Sequence, residues 1–131
     1  MRTAVRHDRV ATWSRRACAV FFIGSGALHL LVPGPYRAIM PSYLPWHAGL
    51  VALSGAAEIA GGLGVLVPWT RRAAGIGLVV LLLAVFPANV DMLVRSREQG
   101  AGSLIQLLLW LRLPLQVLLI WWVWRVSRQA R

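Results

Sequence analysis

The sequence predicts an all-α integral membrane protein, a four-helix bundle with both termini on the cytoplasmic side. Three observations carry that expectation: an unusually apolar composition, four long apolar runs, and an uneven distribution of arginines between them. Of the 131 residues, 58% are hydrophobic and 14% charged, with a mean hydropathy of +0.64. Soluble domains run at about 45–50% apolar and about 25% charged. The net charge is +10, and all 14 basic residues are arginine. A disordered chain is excluded, since disorder needs low hydrophobicity. A disulfide-stapled scaffold is excluded too, because Cys18 has no second cysteine to pair with. The length suits one domain over residues 1–131.

The apolar runs cover residues 17–33, 48–68, 73–94 and 104–124. A bilayer core about 30 Å thick needs roughly 20 helical residues, whereas a spanning strand needs about ten residues of alternating polarity. These runs do not alternate, so each is expected to be a transmembrane helix. Their connections carry the breakers Pro33-Gly34-Pro35, Pro68 and Gly100-Ala101-Gly102. Arg15-Arg16 before the first run also has the look of a signal peptide, but His29 inside the run and the lack of a small-residue cleavage site speak against one.

Orientation follows from charge. Arg2, Arg6, Arg9, Arg15, Arg16, Arg71, Arg72, Arg125, Arg128 and Arg131 fall on one side, and Arg37, Arg95 and Arg97 on the other. The Lys/Arg-rich side is cytoplasmic. Trp13, Trp69, Trp121, Trp122 and Trp124 then form an inner aromatic belt, and Tyr36, Tyr43 and Trp46 an outer one. The basic tails are expected to contact anionic membrane lipids and not nucleic acid, since no folded basic surface remains to grip phosphates. The predicted location is a membrane, crossed several times, with the arginine-rich side facing the cytoplasm. The first connection, residues 33–47, holds four prolines yet is rich in apolar side chains, which predicts a short segment lying on the outer face. It reads either as a plug across the bundle end or as a lid over a cavity.

Each run carries one ionisable residue: His29, Glu58, Asp91 and Arg112, joined by Asn89 and Gln116. A charge near the bilayer centre costs about 2.5–3.5 kcal/mol on insertion scales, so such groups face the bundle interior and pair. Measured from the run midpoints, Glu58 is central, Arg112 about 3 Å outward, His29 about 6 Å, and Asn89 and Asp91 about 8 and 11 Å. All six are therefore candidate ligand-binding residues in one polar layer. Ser25 and His29, Ser54 and Glu58, and Arg112 and Gln116 each share a helix face. Ala57, Gly61, Gly55 and Gly62 allow a neighbour to approach closely. Pro87 and Pro114 free the carbonyls of Leu83 and Trp110 beside the layer. The expected core of the layer is a Glu58–Arg112 pair, direct or through Gln116 or water, with His29 and Asn89 alongside. It serves equally well as a structural clamp or as a ligand or proton site.

Several chemistries find no support. A lone Cys18 cannot run a thiol–disulfide relay. The histidines (His7, His29, His47) show no metal or haem ligand pattern, and the glycines lie inside apolar runs, away from any phosphate-cradling loop. No catalytic residue is assigned.

The strings "IMPSYLP", "SGAAEIAGG", "VFPAN" and "RLPLQ", in that order between residues 16 and 126, resemble the DoxX family of small bacterial membrane proteins. That resemblance implies four helices and a place in the bacterial cytoplasmic (inner) membrane beside membrane redox systems, the founding member being a subunit of a thiosulfate:quinone oxidoreductase. Two departures stand out. Leu30 follows His29 where an aromatic is more usual, and the cysteine pair of redox relatives such as the methylamine-utilisation membrane proteins is missing. The implied function is an accessory subunit with a membrane redox partner, holding a quinone-like lipophile near the polar layer. The alternatives are a membrane enzyme acting on such a lipophile by acid–base chemistry through Glu58 and His29, and a small transporter, which at four helices needs to form a homo-oligomer.

Overall fold

The computed structural model describes residues 2–129, and among them the chain is entirely helical. It contains α1 (Arg2–Leu31), α2 (Pro33–Ala38), α3 (His47–Leu66), α4 (Arg71–Glu98) and α5 (Ser103–Arg128). Three of these, α3, α4 and α5, are long and apolar enough to cross a membrane. The first expected span differs. Its helix stops at Leu31, and its apolar part begins only after Arg15-Arg16, leaving roughly 22 Å of apolar helix at about 1.5 Å per residue. α4 and α5 instead run past the limits set by hydropathy, taking in Arg95 and Arg97 at one end and Arg125 and Arg128 at the other.

The four long helices alternate in direction. Gly26 faces Gly55 and Ala19 faces Gly62, which sets α1 antiparallel to α3. Gly61 lies on Leu78 and Gly64 on Ala74, setting α3 against α4, and Gly75 lies on Ser127, setting α4 against α5. The α1–α3 contact is the most extensive and the α1–α5 contact the narrowest of these neighbours. Both chain tails and the α3–α4 turn thus share one end, called here the tail end, and residues 33–46 cover the other, the cap end.

The apolar core sits towards the tail end, where Cys18, Phe22, Val65, Leu78, Leu82, Val123 and Val126 pack together. The α3–α4 turn is closed by side chains that reach back to the last carbonyls of α3, groups without a helical donor of their own. Thr70 Oγ1 donates to Gly64 O at 2.9 Å, and Arg71 Nε donates to Val65 O at 3.0 Å. Arg71, read from sequence as a topological charge, is buried in this role. The tail end also carries Arg16 over Trp13, Arg125 over Trp121 and Arg128 over Trp124, with Trp69 exposed. Such amphipathic pairs suit a membrane–water boundary.

The proline-rich segment is ordered against the cap end. Pro33 opens the short α2, as its fixed φ and missing N–H allow. Pro41 is fully buried, and its carbonyl accepts from His47 Nε2 at 3.1 Å and from the Leu44 N–H at 3.1 Å. Arg95 Nη2 donates to Ile39 O at 3.0 Å and to Met40 O at 3.2 Å, while Asp91 holds the same guanidinium at 2.8 Å. Trp46 takes a left-handed conformation at φ 56, and its indole lies over Gly49, where no Cβ would fit.

Backbone approach at the α1–α3 crossing should therefore be the least tolerant feature of the fold. Gly55→Leu is expected to lower the melting temperature in mild detergent sharply, overpacking of this kind costing about 1–3 kcal/mol or more. Gly24→Ala and Gly77→Ala, each with open space around it, should melt like the parent.

Candidate functional site

His29 and Glu58 meet between α1 and α3. Their Nδ1 and Oε2 atoms are 3.2 Å apart, and both side chains are mostly buried, at 17% and 12% exposure. Helix direction brings them together. Side chains lean towards the N-terminus of their helix, so in an antiparallel pair His29 leans away from the cap end while Glu58 leans towards it. The same His29 nitrogen lies 2.8 Å from Ser25 O. A carbonyl can only accept, so Nδ1 carries the hydrogen and donates to Ser25 O, with the Glu58 carboxylate in contact beside it. Nε2 is then the nitrogen able to accept a proton or a hydrogen bond. Tyr36 of α2 stacks on the imidazole with ring centroids 3.8 Å apart. The cap segment thus reaches the pair directly.

Asn89 and Gln116 meet on a different interface, between α4 and α5. Asn89 Nδ2 donates to Gln116 Oε1, and Gln116 Nε2 donates to Leu82 O at 2.5 Å. Both amides are buried. The accepting carbonyl is one residue before Leu83, whose own carbonyl loses its helical donor to Pro87. This is a satisfied buried amide pair in the sense that low-dielectric surroundings demand.

Asp91 and Arg112 take other places than the sequence suggested. Asp91 pairs with Arg95 one turn along its own helix and serves the cap segment. Glu58 and Arg112 do not pair directly or through Gln116. Glu58 takes His29 as its partner, Gln116 is used by Asn89, and Arg112 is exposed. The reason is register. The contacts of Gly75 with Ser127 and of Asn89 with Gln116 set Arg112 level with Asp91, about a turn nearer the cap end than the run midpoints imply. On α5 Arg112 lies between Gln116, which faces α4, and the stripe of Leu115 and Trp122, the last of which meets α1. The polar layer is thus two pairs on two interfaces, with Arg112 beside them. Among the described residues, no three of the His, Cys, Asp and Glu side chains stand together to hold a metal ion.

Two contributors were not singled out by sequence. By sequence Tyr36 belongs to the outer aromatic belt, and no spacing links it to His29. Arg95 was counted only as an outer charge, although its position four residues after Asp91 on a helix is a readable signal.

Residues 18–127 match a family described as a domain of unknown function, DUF8561. The chain belongs to that family. The match takes in all six polar-layer residues. No curated protein and no solved structure matches the chain.

Two double-mutant cycles follow from the pairings. Gln116→Leu leaves Asn89 buried without its acceptor, a loss of about 1–3 kcal/mol, and adding Asn89→Leu should recover much of it. Glu58→Leu and Arg112→Leu, which do not touch each other, should be additive in melting temperature, whereas Glu58→Leu and His29→Leu should be strongly non-additive.

Proposed function

We propose that this chain is a DoxX-like protein of the bacterial inner membrane that holds a quinone-like lipophile at the His29–Glu58 pair, as an accessory subunit of a membrane redox system. In this reading α1 is the fourth transmembrane helix and both termini are cytoplasmic. The observation that carries the functional reading is the His29–Glu58 contact. It is an ionisable pair at membrane depth on facing helices, backed by a tyrosine ring and leaving His29 Nε2 available, the type of intramembrane group that tends to mark a ligand or proton site. A planar head group with a carbonyl or hydroxyl oxygen is suited to a hydrogen bond at that nitrogen. Support for a fourth span comes from the long antiparallel contact of α1 with α3 and from Arg16 and Trp13 at the tail end.

A second reading has one observation in its favour. A carboxylate that orients an imidazole through Nδ1 leaves Nε2 as a general base, so acid–base chemistry on a lipophilic substrate by Glu58 and His29 is the alternative.

Lipophiles should be identified by mass spectrometry on protein purified in mild detergent. A quinone-like molecule is expected with the wild type and depleted by at least about tenfold in His29→Leu, as losing a specific hydrogen-bonded contact implies. Equal amounts in both would sink the site assignment. For topology, a reporter active only in the periplasm should stay silent when fused after Arg131 and become active when fused within residues 99–102.

A further inference from the structure

Among the described residues, the charges at membrane depth do not all close on one another. Glu58 takes His29, and Asp91 takes Arg95. Arg112 has no ion pair among the described residues, and its neighbours Leu108, Leu111 and Leu115 are each more than half exposed. An arginine presented to hydrocarbon without an anion is costly. Its surroundings suggest where the anion comes from. α1 and α5 touch narrowly, and towards the tail end Trp122 Nε1 donates to Ser14 Oγ at 2.9 Å while Phe21 meets the Trp122 ring. The stripe of α5 that meets α1 at Trp122 continues towards the cap end as Leu115, Leu111 and Leu108, each more than half exposed, so the seam between the two helices is open to the bilayer there, with Arg112 along its edge. Arg97 sits over Trp110, on the opposite face of α5 from Arg112, and so lies outside this seam. A guanidinium offers paired N–H groups that match a phosphate oxygen pair, and the leucines along α5 suit an acyl chain.

We propose that the phosphate of an anionic phospholipid docks on Arg112 in the α1–α5 seam. The inference goes beyond the quinone-like ligand at His29 and stands or falls separately from it. The lipid closes the open side of the bundle, and its phosphate supplies the counter-charge that Glu58, committed to His29, does not.

The test is native mass spectrometry of the full chain released from bilayer discs made of equal parts phosphatidylglycerol and phosphatidylcholine. The wild type should retain phosphatidylglycerol in preference to phosphatidylcholine. Arg112→Leu should lose that retention about tenfold, Arg112→Lys should keep part of it, and Arg97→Leu, lying outside the seam, should keep nearly all. Arg112→Gln gives an uncharged side chain of similar polarity should the leucine variant fail to fold, with circular dichroism reporting the fold of each. Undiminished retention in both Arg112→Leu and Arg112→Gln overturns the proposal, as does equal retention of the two lipids by the wild type. Displacement of the phospholipid by added oleate at equal concentration would assign the seam to a carboxylate and overturn the phosphate.

Discussion

Where α1 crosses α3, a Cβ on Gly55 would stand 2.8 Å from the Gly26 carbonyl oxygen and 2.8 Å from His29 Cβ, so only two bare backbones can meet there. This approach has no hydrophobic driving force if the helices lie in lipid, where packing and interhelical polar contacts do the work instead. Small residues one heptad apart on each helix, Ala19 and Gly26 against Gly62 and Gly55, set both the distance and the register. With the register fixed, His29 and Glu58 have nowhere else to point. The backbone contact thus decides which histidine and which carboxylate share a proton-bearing contact, and the chemistry of the site depends on glycines that carry none.

The remaining polar groups are distributed by the same logic on separate interfaces. An amide pair, Asn89 with Gln116, joins α4 to α5 without burying charge. An acid–base pair within α4, Asp91 with Arg95, spends the guanidinium's other donors on two carbonyls of the cap segment. Each interface therefore pairs its own polar groups, which asks less of the fold than one network that must close across four helices. The cap segment is held from two sides, by Arg95 at its middle and by the Tyr36 ring on His29 at its start. A change at His29 is in this way felt by the segment that covers the bundle end.

Much of this was legible in the sequence, and the failures have identifiable causes. Helix content and most boundaries followed from apolar runs and breakers; Gly100, with φ 67, marks the stop after α4 that the Gly100-Ala101-Gly102 cluster announced. The six polar residues were picked out because ionisable groups in apolar runs are expensive wherever they occur. Who pairs with whom was not legible, since depth estimated from run midpoints ignores how far each helix extends past its apolar run. α5 continues to Arg128, and that extension carries Arg112 away from the level of Glu58. The length of the first apolar stretch was also overstated, because Val32 and Pro33 lie beyond the end of α1. Charge patterning assigned Arg71 to the membrane surface, whereas the unsatisfied carbonyls at the end of α3 draw it inside.

The account rests on one contact, His29 with Glu58, and its most direct test is a distance measurement in the bilayer. Rotational-echo double-resonance NMR between ¹⁵N-labelled His29 and the ¹³C-labelled side-chain carboxyl of Glu58, in a chain with His7 and His47 replaced, reads the separation without relying on function. With Nδ1 and Oε2 3.2 Å apart, rapid dephasing is predicted, and it should vanish in Gly55→Leu, where the helices are forced apart. An absence of dephasing in the parent protein would contradict the α1–α3 register and the site built on it.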